Sequence, residues 1–313
     1  MTKPVAETDI AVRIHSSQGD GLEQAVREAF PDIEVFRGPM DSNRPEKVLV
    51  TFYPPEDEDL SKYRWVHCVG AGVDAICKSF AGIEPAPLVT RTTGRMGRQI
   101  GEYCAGYALS WLQKMALRRT LEEARDWDRE RAAPAYLFET QVAIIGTGSI
   151  GQGVAGAFKG LKAPVLGLSR TGRAVEGFDE VMRLVDLSTE EDAKIVVGAL
   201  PFTPQTANAI GADVFDKLDG ALFINVGRGA TLDEDALKVA LDSGRVDHAV
   251  LDVFRDEPLD AGHWFWSDSR VTVTPHVSGL TLPSDGQARL LELLERRLKG
   301  EAIEADVDVA RGY

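Results

Sequence analysis

A chain of 313 residues, 44% hydrophobic and 27% charged, is long enough for two ordinary domains and too apolar to be disordered. Its net charge of −14 supplies no basic footprint for nucleic acid or an anionic membrane, and any anionic ligand must find a locally basic pocket. The cysteines Cys68, Cys77 and Cys104 are odd in number and fit no CxxC or Cys/His ligand spacing, so they read as buried hydrophobes in a reducing compartment and no metal is expected.

The opening "MTKPVAETDI" carries no apolar stretch of the signal-peptide kind, and no run approaches 18 apolar residues, so the cytoplasm is the expected location. Short apolar runs then alternate with helix-period segments, the pattern of a parallel α/β protein. "IAVRI" (10–14), "VLVTF" (48–52) and "WVHCV" (65–69) read as strands, with "GLEQAVREAF" and "GVDAICKSF" as helices. From Gln99 to about Arg131 a long helix is expected. Ile100, Tyr103, Cys104, Tyr107, Ala108, Trp111, Leu112 and Met115 give it one apolar face, and it dissolves into a charged tail that stops at Pro134. Such a segment reads as a domain connector.

Strict alternation restarts at Gln141. "QVAIIG", "PVLGLS", "IVVGAL", "ALFINV", "HAVLDVF" and "VTVTP" read as strands, and "SIGQGVAGAFKGL" as a helix. Two capping boxes are expected to open helices, Ser188 with Glu191 and Thr231 with Glu234. "PSDGQARLLELLERRLKG" is a final amphipathic helix outside the alternation, of the kind that folds back on a first domain.

Gly146, Gly148 and Gly151 in "GTGSIG" follow a strand and open a helix. The three glycines suit a tight turn, a close approach to pyrophosphate and helix–strand packing, while Ser149 and Ile150 offer amides at the helix start. The next strand ends at Ser169, 18 residues past Gly151, where an NAD site would place an acid. Here stand Ser169, Arg170 and Thr171, with Arg173 close by. Two hydroxyls and a guanidinium supply donors where a carboxylate would repel, so a 2′-phosphate, and hence NADPH, is the expected preference. A solvated loop with incidental arginines is the blander reading.

Three more fragments each end a strand on the side where open α/β sheets bind ligands: "INVGRGA" with Arg228, "LDVFRDEPL" with Asp252 and Glu257, and "VTPHVSG" with His276. Individually each has a dull explanation: an isolated Arg after a strand is usually solvated, and an isolated His is more often structural than catalytic.

In this order, and together with "WVHCVGAGVD", "GLSRT" and "LPFTPQT", the motifs resemble the D-isomer-specific 2-hydroxyacid dehydrogenases, with the glyoxylate/hydroxypyruvate reductase A type looking closest, over about Trp65 to Leu298. The resemblance implies two Rossmann- or flavodoxin-like domains with parallel sheets and an active site in the interdomain cleft. Residues 1–98 plus 281–313 would form the substrate-binding domain and 99–280 the NADP-binding domain. It also implies roles. Arg228 would hold the substrate carboxylate and polarise the 2-oxo group, His276 would protonate the carbonyl oxygen, and Glu257 would bond to the imidazole. The amides of Ala71 and Gly72 would cradle the carboxylate. Asp252 would meet the nicotinamide carboxamide, and Leu200, Pro201, Thr206, Val226 and Met96 would line the cofactor. The expected reaction is NADPH-dependent reduction of a small 2-oxo acid such as glyoxylate or hydroxypyruvate to a D-2-hydroxy acid, in a homodimer.

The main alternative is a nucleotide-sensing binding protein on the same scaffold, like the C-terminal-binding corepressors. Formate dehydrogenase is disfavoured by Glu257, and a methyltransferase would leave Arg228, Glu257 and His276 without a purpose. Arg91, Arg95 and Arg98 form either a basic funnel or, as the blander reading, ion pairs.

Overall fold

The computed structural model describes residues 3–312. The chain divides into two compact units, Met1–Arg95 with Thr281–Tyr313, and Met96–Leu280.

The first unit holds five parallel strands: β1 (Ile10–His15), β2 (Glu34–Phe36), β3 (Glu46–Thr51), β4 (Trp65–Cys68) and β5 (Leu88–Arg91). Their spatial order is β2-β1-β3-β4-β5, the flavodoxin-like winding. Helix α1 (Gly19–Ala29) packs beside the C-terminal helix Pro283–Leu298, whose Leu290, Leu293 and Leu294 join Ile10, Val12, Leu22 and Val26 in one core. Helix α2 (Asp74–Phe80) contributes Ile76, Cys77 and Phe80 to a second core with Leu49 and Val66. Alternate strand residues thus face opposite sides, and both faces are dry.

The second unit opens with α3 (Met96–Leu112) and α4 (Met115–Ala124), then runs β6 (Val142–Ile145), α5 (Ser149–Gly160), β7 (Val165–Ser169), β8 (Glu180–Arg183) and β9 (Ile195–Gly198). The short α6 (Ala212–Phe215), β10 (Ala221–Asn225), α7 (Glu234–Asp242), β11 (Val246–Leu251) and β12 (Val271–Val273) complete it. Seven parallel strands lie in the order β12-β11-β10-β9-β6-β7-β8, a Rossmann sheet whose order reverses at β6 and β9. Helix α3 is seated on α5 by small residues. A Cβ on Gly153 would stand 2.5 Å from the Gly97 backbone, and one on Gly101 would meet Ala157 at 2.8 Å and the Gly153 carbonyl at 2.9 Å.

Several local expectations are corrected. The helix from Gln99 starts earlier, at Met96, so residues 96–98 lie in α3's first turn. It also breaks after Leu112, because Lys114 takes a left-handed φ of 50° and the returning chain caps the helix end, with the Ala135 amide on the Leu112 carbonyl. The Thr231–Glu234 box does not form. Asp233 caps α7 by accepting the Ala236 amide, and Thr231 turns back to the Arg228 carbonyl. Ser188 and Glu191 do form a capping box, but on a single 3-10 turn, Thr189–Glu191. Strands β2, β5 and β8 carry no clear signal in the sequence. They are three or four residues long, and β8 is an edge strand whose outer positions Glu180 and Arg183 are exposed.

Candidate active site

The expected site residues of the second unit follow six adjacent strands along one carboxyl edge. In spatial order these carry His276 after β12, Asp252 and Glu257 after β11, Arg228 after β10, Leu200 and Pro201 after β9, Gly146–Gly151 after β6, and Ser169–Thr171 at the end of β7. Neighbouring strands lie about 4.8 Å apart, so the His276 and Arg228 strands are separated by about 10 Å.

At the β6 turn Gly146 adopts a φ of 109°, and a Cβ there would meet the Ala199 carbonyl oxygen at 2.7 Å. Gly151 lies against the same turn, its position for a Cβ only 1.9 Å from the Gly146 carbonyl oxygen. Gly148 differs: a Cβ there would meet nothing within 4 Å. It is also the N-cap of α5 and supplies no capping side chain, so the leading amides at Ser149 and Ile150 are left for an acceptor from outside. At the end of β7, Ser169 Oγ accepts the Gly172 amide at 3.0 Å and Thr171 Oγ1 accepts the Arg173 amide at 3.4 Å. Each hydroxyl therefore keeps its own proton to donate. Arg170, Thr171 and Arg173 are exposed, and Gly172 turns the chain with a φ of 65°. The uncapped helix start, the open side of Gly148 and this donor cluster fit an anionic dinucleotide.

After β9 the loop 201–206 is closed on itself. Thr206 Oγ1 donates to the Pro201 carbonyl and accepts the Thr203 amide, both at 2.7 Å. Val226 is buried and donates its amide to the Gly198 carbonyl. Met96 stands at the start of α3, within reach of Gly279 at the end of the His276 loop, where a Cβ would meet Met96 Cγ at 2.9 Å.

Arg228 sits between two glycines, and both are required by close approach. A Cβ on Gly227 would lie 2.6 Å from the Leu200 carbonyl oxygen, and one on Gly229 would lie 1.9 Å from the Phe254 carbonyl carbon. The Arg228 turn is thereby pressed between the loops after β9 and β11. Fully buried Asn225 and Thr231 bond to the Arg228 carbonyl, at 3.4 and 2.7 Å, and Asn225 also accepts the Gly227 amide. The guanidinium is half-buried and donates to the Gly227 carbonyl at 2.7 Å. Nothing in the local sequence marks this role of the two glycines, since their partners are distant in the chain.

His276 Nδ1 lies 2.8 Å from Glu257 Oε2, with both side chains partly exposed. A carboxylate acceptor puts the proton on Nδ1 and leaves Nε2 facing outward. Glu257 is itself held, because its Oε1 accepts the Phe254 amide at 2.9 Å. His276 has a left-handed φ of 53°, which a non-glycine residue adopts only under constraint. The constraint is Asp252, which is fully buried. Its carbonyl accepts the His276 amide, its Oδ1 the Val277 amide and its Oδ2 the Ser278 amide, all at 2.9 Å.

In the first unit the "VGAGVD" turn places Ala71 and Gly72 at the end of β4, both half-buried. Arg91 Nη1 donates to the Ala71 carbonyl at 3.1 Å. Arg95 forms an ion pair with Asp285 at 2.7 Å, while Arg98, in the second unit, is exposed. Trp264 packs against the core and under Lys238, whereas Trp266 is exposed. Among the described residues no cluster of three His, Cys, Asp or Glu side chains is placed to hold a metal ion, and no helix is long and apolar enough to cross a membrane.

The model of the D-isomer specific 2-hydroxyacid dehydrogenase NAD-binding domain matches residues 105–278, more than half of the chain. The chain belongs to this family. Two solved members are similar over nearly their whole length. A D-isomer specific 2-hydroxyacid dehydrogenase from Xanthobacter autotrophicus, in complex with NADPH and MES, is 29% identical with a TM-score of 0.83, covering 97% of this chain and 99% of that one. The NADPH-dependent glyoxylate/hydroxypyruvate reductase of Sinorhizobium meliloti, in complex with NADP and sulfate, is 27% identical with a TM-score of 0.78, covering 97% and 100%. This D-2-hydroxyacid dehydrogenase family member is therefore an oxidoreductase that uses a nicotinamide cofactor and acts on a 2-hydroxy or 2-oxo acid.

Proposed function

We propose that the protein is an NADPH-dependent reductase of small 2-oxo acids such as glyoxylate and hydroxypyruvate. The observation that carries this reading is the 2.8 Å His276–Glu257 pair, one strand away from Arg228 on the carboxyl edge of a sheet that also carries the glycine turn, after β6. When bound, the nicotinamide cofactor supplies the hydride. Arg228 binds the substrate carboxylate and stabilises the charge that develops on the 2-oxo oxygen. His276 delivers the proton to that oxygen from Nε2, and Glu257 keeps the ring turned and its Nδ1 proton in place. The amides of Ala71 and Gly72 are assigned the substrate carboxylate from the first unit. Asp252 accepts one amide on Oδ2, and this reading assigns the remaining acceptor position there to the nicotinamide carboxamide.

The NADPH preference rests on Ser169, Arg170 and Thr171, and the two similar proteins solved with NADPH or NADP support it. The cofactor contacts of Leu200, Pro201, Thr206, Val226 and Met96 belong to the same reading. So does a homodimer in the cytoplasm, for which the exposed Met115, Trp127, Tyr136 and Phe138 supply an apolar surface.

The test is a steady-state panel of small 2-oxo acids against NADPH and NADH, with Arg170→Ala alongside. One hydrogen bond to a charged group contributes about 1.5–3 kcal/mol. The variant should therefore lose roughly ten- to 150-fold in NADPH affinity, while NADH affinity stays level. Equal losses for both cofactors would remove Arg170 from phosphate recognition. Tight cofactor binding with no turnover on any 2-oxo acid would replace the enzyme by a nucleotide sensor.

A further inference from the structure

Helix α3 reaches the His276 loop through one polar side chain. Tyr103 Oη lies 2.6 Å from Thr274 Oγ1, and Thr274 Oγ1 donates to Asp252 Oδ1 at 2.6 Å. A carboxylate only accepts, so Thr274 gives its proton to Asp252 and takes the one from Tyr103. Burial drives the Tyr103 phenol well above its ordinary range, which keeps it protonated and able to donate. The result is a directed chain from Tyr103 through Thr274 to Asp252. Asp252 in turn holds the amides of His276, Val277 and Ser278.

Asp252 thus holds three successive amides of the left-handed turn at His276, and among the described residues the hydroxyl bonded to its carboxylate is that of Thr274, backed by Tyr103. We propose that Tyr103 is a positioning residue for the reaction: through Thr274 and Asp252 it holds the 274–278 loop in the turn that aims His276 at Glu257. Tyr103 touches no reacting atom. Its ring packs on Tyr107, with centroids 4.8 Å apart, and α3 is seated on α5, so the hydroxyl is held by a rigid element. The proposal rests on His276 as the proton donor.

Tyr103→Phe keeps the ring and removes only the hydroxyl. It should lower kcat about three- to tenfold, the scale of one hydrogen bond, with KM for the 2-oxo acid and the Kd for NADPH within twofold of wild type. Thr274→Val should give the same loss, the double variant no more than either single one, and Thr274→Ser should recover most of it. In a His276→Gln background, Tyr103→Phe should cause no further loss. If His276→Gln is crippled but Tyr103→Phe keeps wild-type kcat, the positioning role is wrong and the active-site reading stands. Should Tyr103→Phe cost as much in the His276→Gln background as in the wild type, the hydroxyl acts on the fold at large and the proposal fails. Wild-type turnover in His276→Gln itself would overturn the active-site reading, and the proposal with it.

Discussion

Gly148 separates what the fold requires from what a ligand requires. Its backbone, with φ −73° and ψ −172°, is one that any residue adopts, and a Cβ there would meet no heavy atom of the protein within 4 Å. On folding grounds alone, alanine should be tolerated: the reduced freedom of the unfolded chain contributes about 0.4–1 kcal/mol, and alanine's weaker N-capping offsets a similar amount. Tm should therefore stay within about 4 °C of wild type. If a pyrophosphate lies on the open side of Gly148, the added methyl is driven into it. Overpacking of one methyl costs typically about 1–3 kcal/mol, so the Kd for NADPH should rise roughly five- to 150-fold. Gly151→Ala is the contrast. Its Cβ would stand 1.9 Å from the Gly146 carbonyl oxygen, so it should lower Tm as well as affinity. Thermal unfolding and titration of NADPH fluorescence measure both quantities on each variant. Unchanged NADPH affinity in a folded Gly148→Ala protein would refute the placement of the cofactor at this turn.

Two further outcomes are expected. His276→Ala should lower turnover with a 2-oxo acid by about 10²–10⁴, the span of general acid catalysis, while NADPH binding is kept; steady-state kinetics beside a binding titration checks both halves. His67 sets an acid limit on stability. It is fully buried between Thr90 and Thr92, and burial, helped by the charge of Arg289, pushes its pKa down to about 3. Since the unfolded ring titrates near 6.5, only the unfolded chain binds the proton between these values, so stability falls as pH drops below about 6.5. At pH 5 the loss is about 2 kcal/mol. Urea unfolding at pH 7 and pH 5 should show it in the wild type, and His67→Gln should show a smaller drop; equal pH dependence in the two proteins would clear His67 of the effect.

How much of this was legible in the sequence depended on where the partners of each residue lie. The dinucleotide turn was legible because its pattern is compact: Gly151 meets Gly146 five residues away and Gly148 opens α5 between them, although Gly146 is also required by the distant Ala199 carbonyl. The glycines flanking Arg228 were not, since their reasons are Leu200 and Phe254, each more than 20 residues away. The break after Leu112 was hidden for the same reason. No glycine or proline marks it, and the amide that ends the helix comes from Ala135. The misplaced cap of α7 had another cause. Thr231 and Asp233 are both good N-caps with a plausible partner downstream, and what decided between them was the demand of the Arg228 carbonyl for the Thr231 hydroxyl. Tyr103 was read only as part of an apolar face, because nothing in its neighbourhood foretells a bond to Thr274, 171 residues on.

The same distribution of partners explains how exposed, chemically active groups are held on loops. His276, Glu257 and Arg228 reach solvent, and none lies within a strand or a helix. Each is instead tied by its backbone, or by an inner oxygen, to groups of buried residues: Asp252 for His276, the Phe254 amide for Glu257, Asn225 and Thr231 for Arg228. A hydrogen bond shielded from water is the stronger for it, and a buried polar group left without its partner is costly, so these anchors resist loosening in a way that surface bonds do not. The division has a consequence for mutation. Replacing a reacting side chain should remove activity and spare the fold, whereas replacing its buried anchor should disturb both, and Tyr103 stands at the outer end of one such anchor, where a single hydroxyl can be removed without opening a cavity.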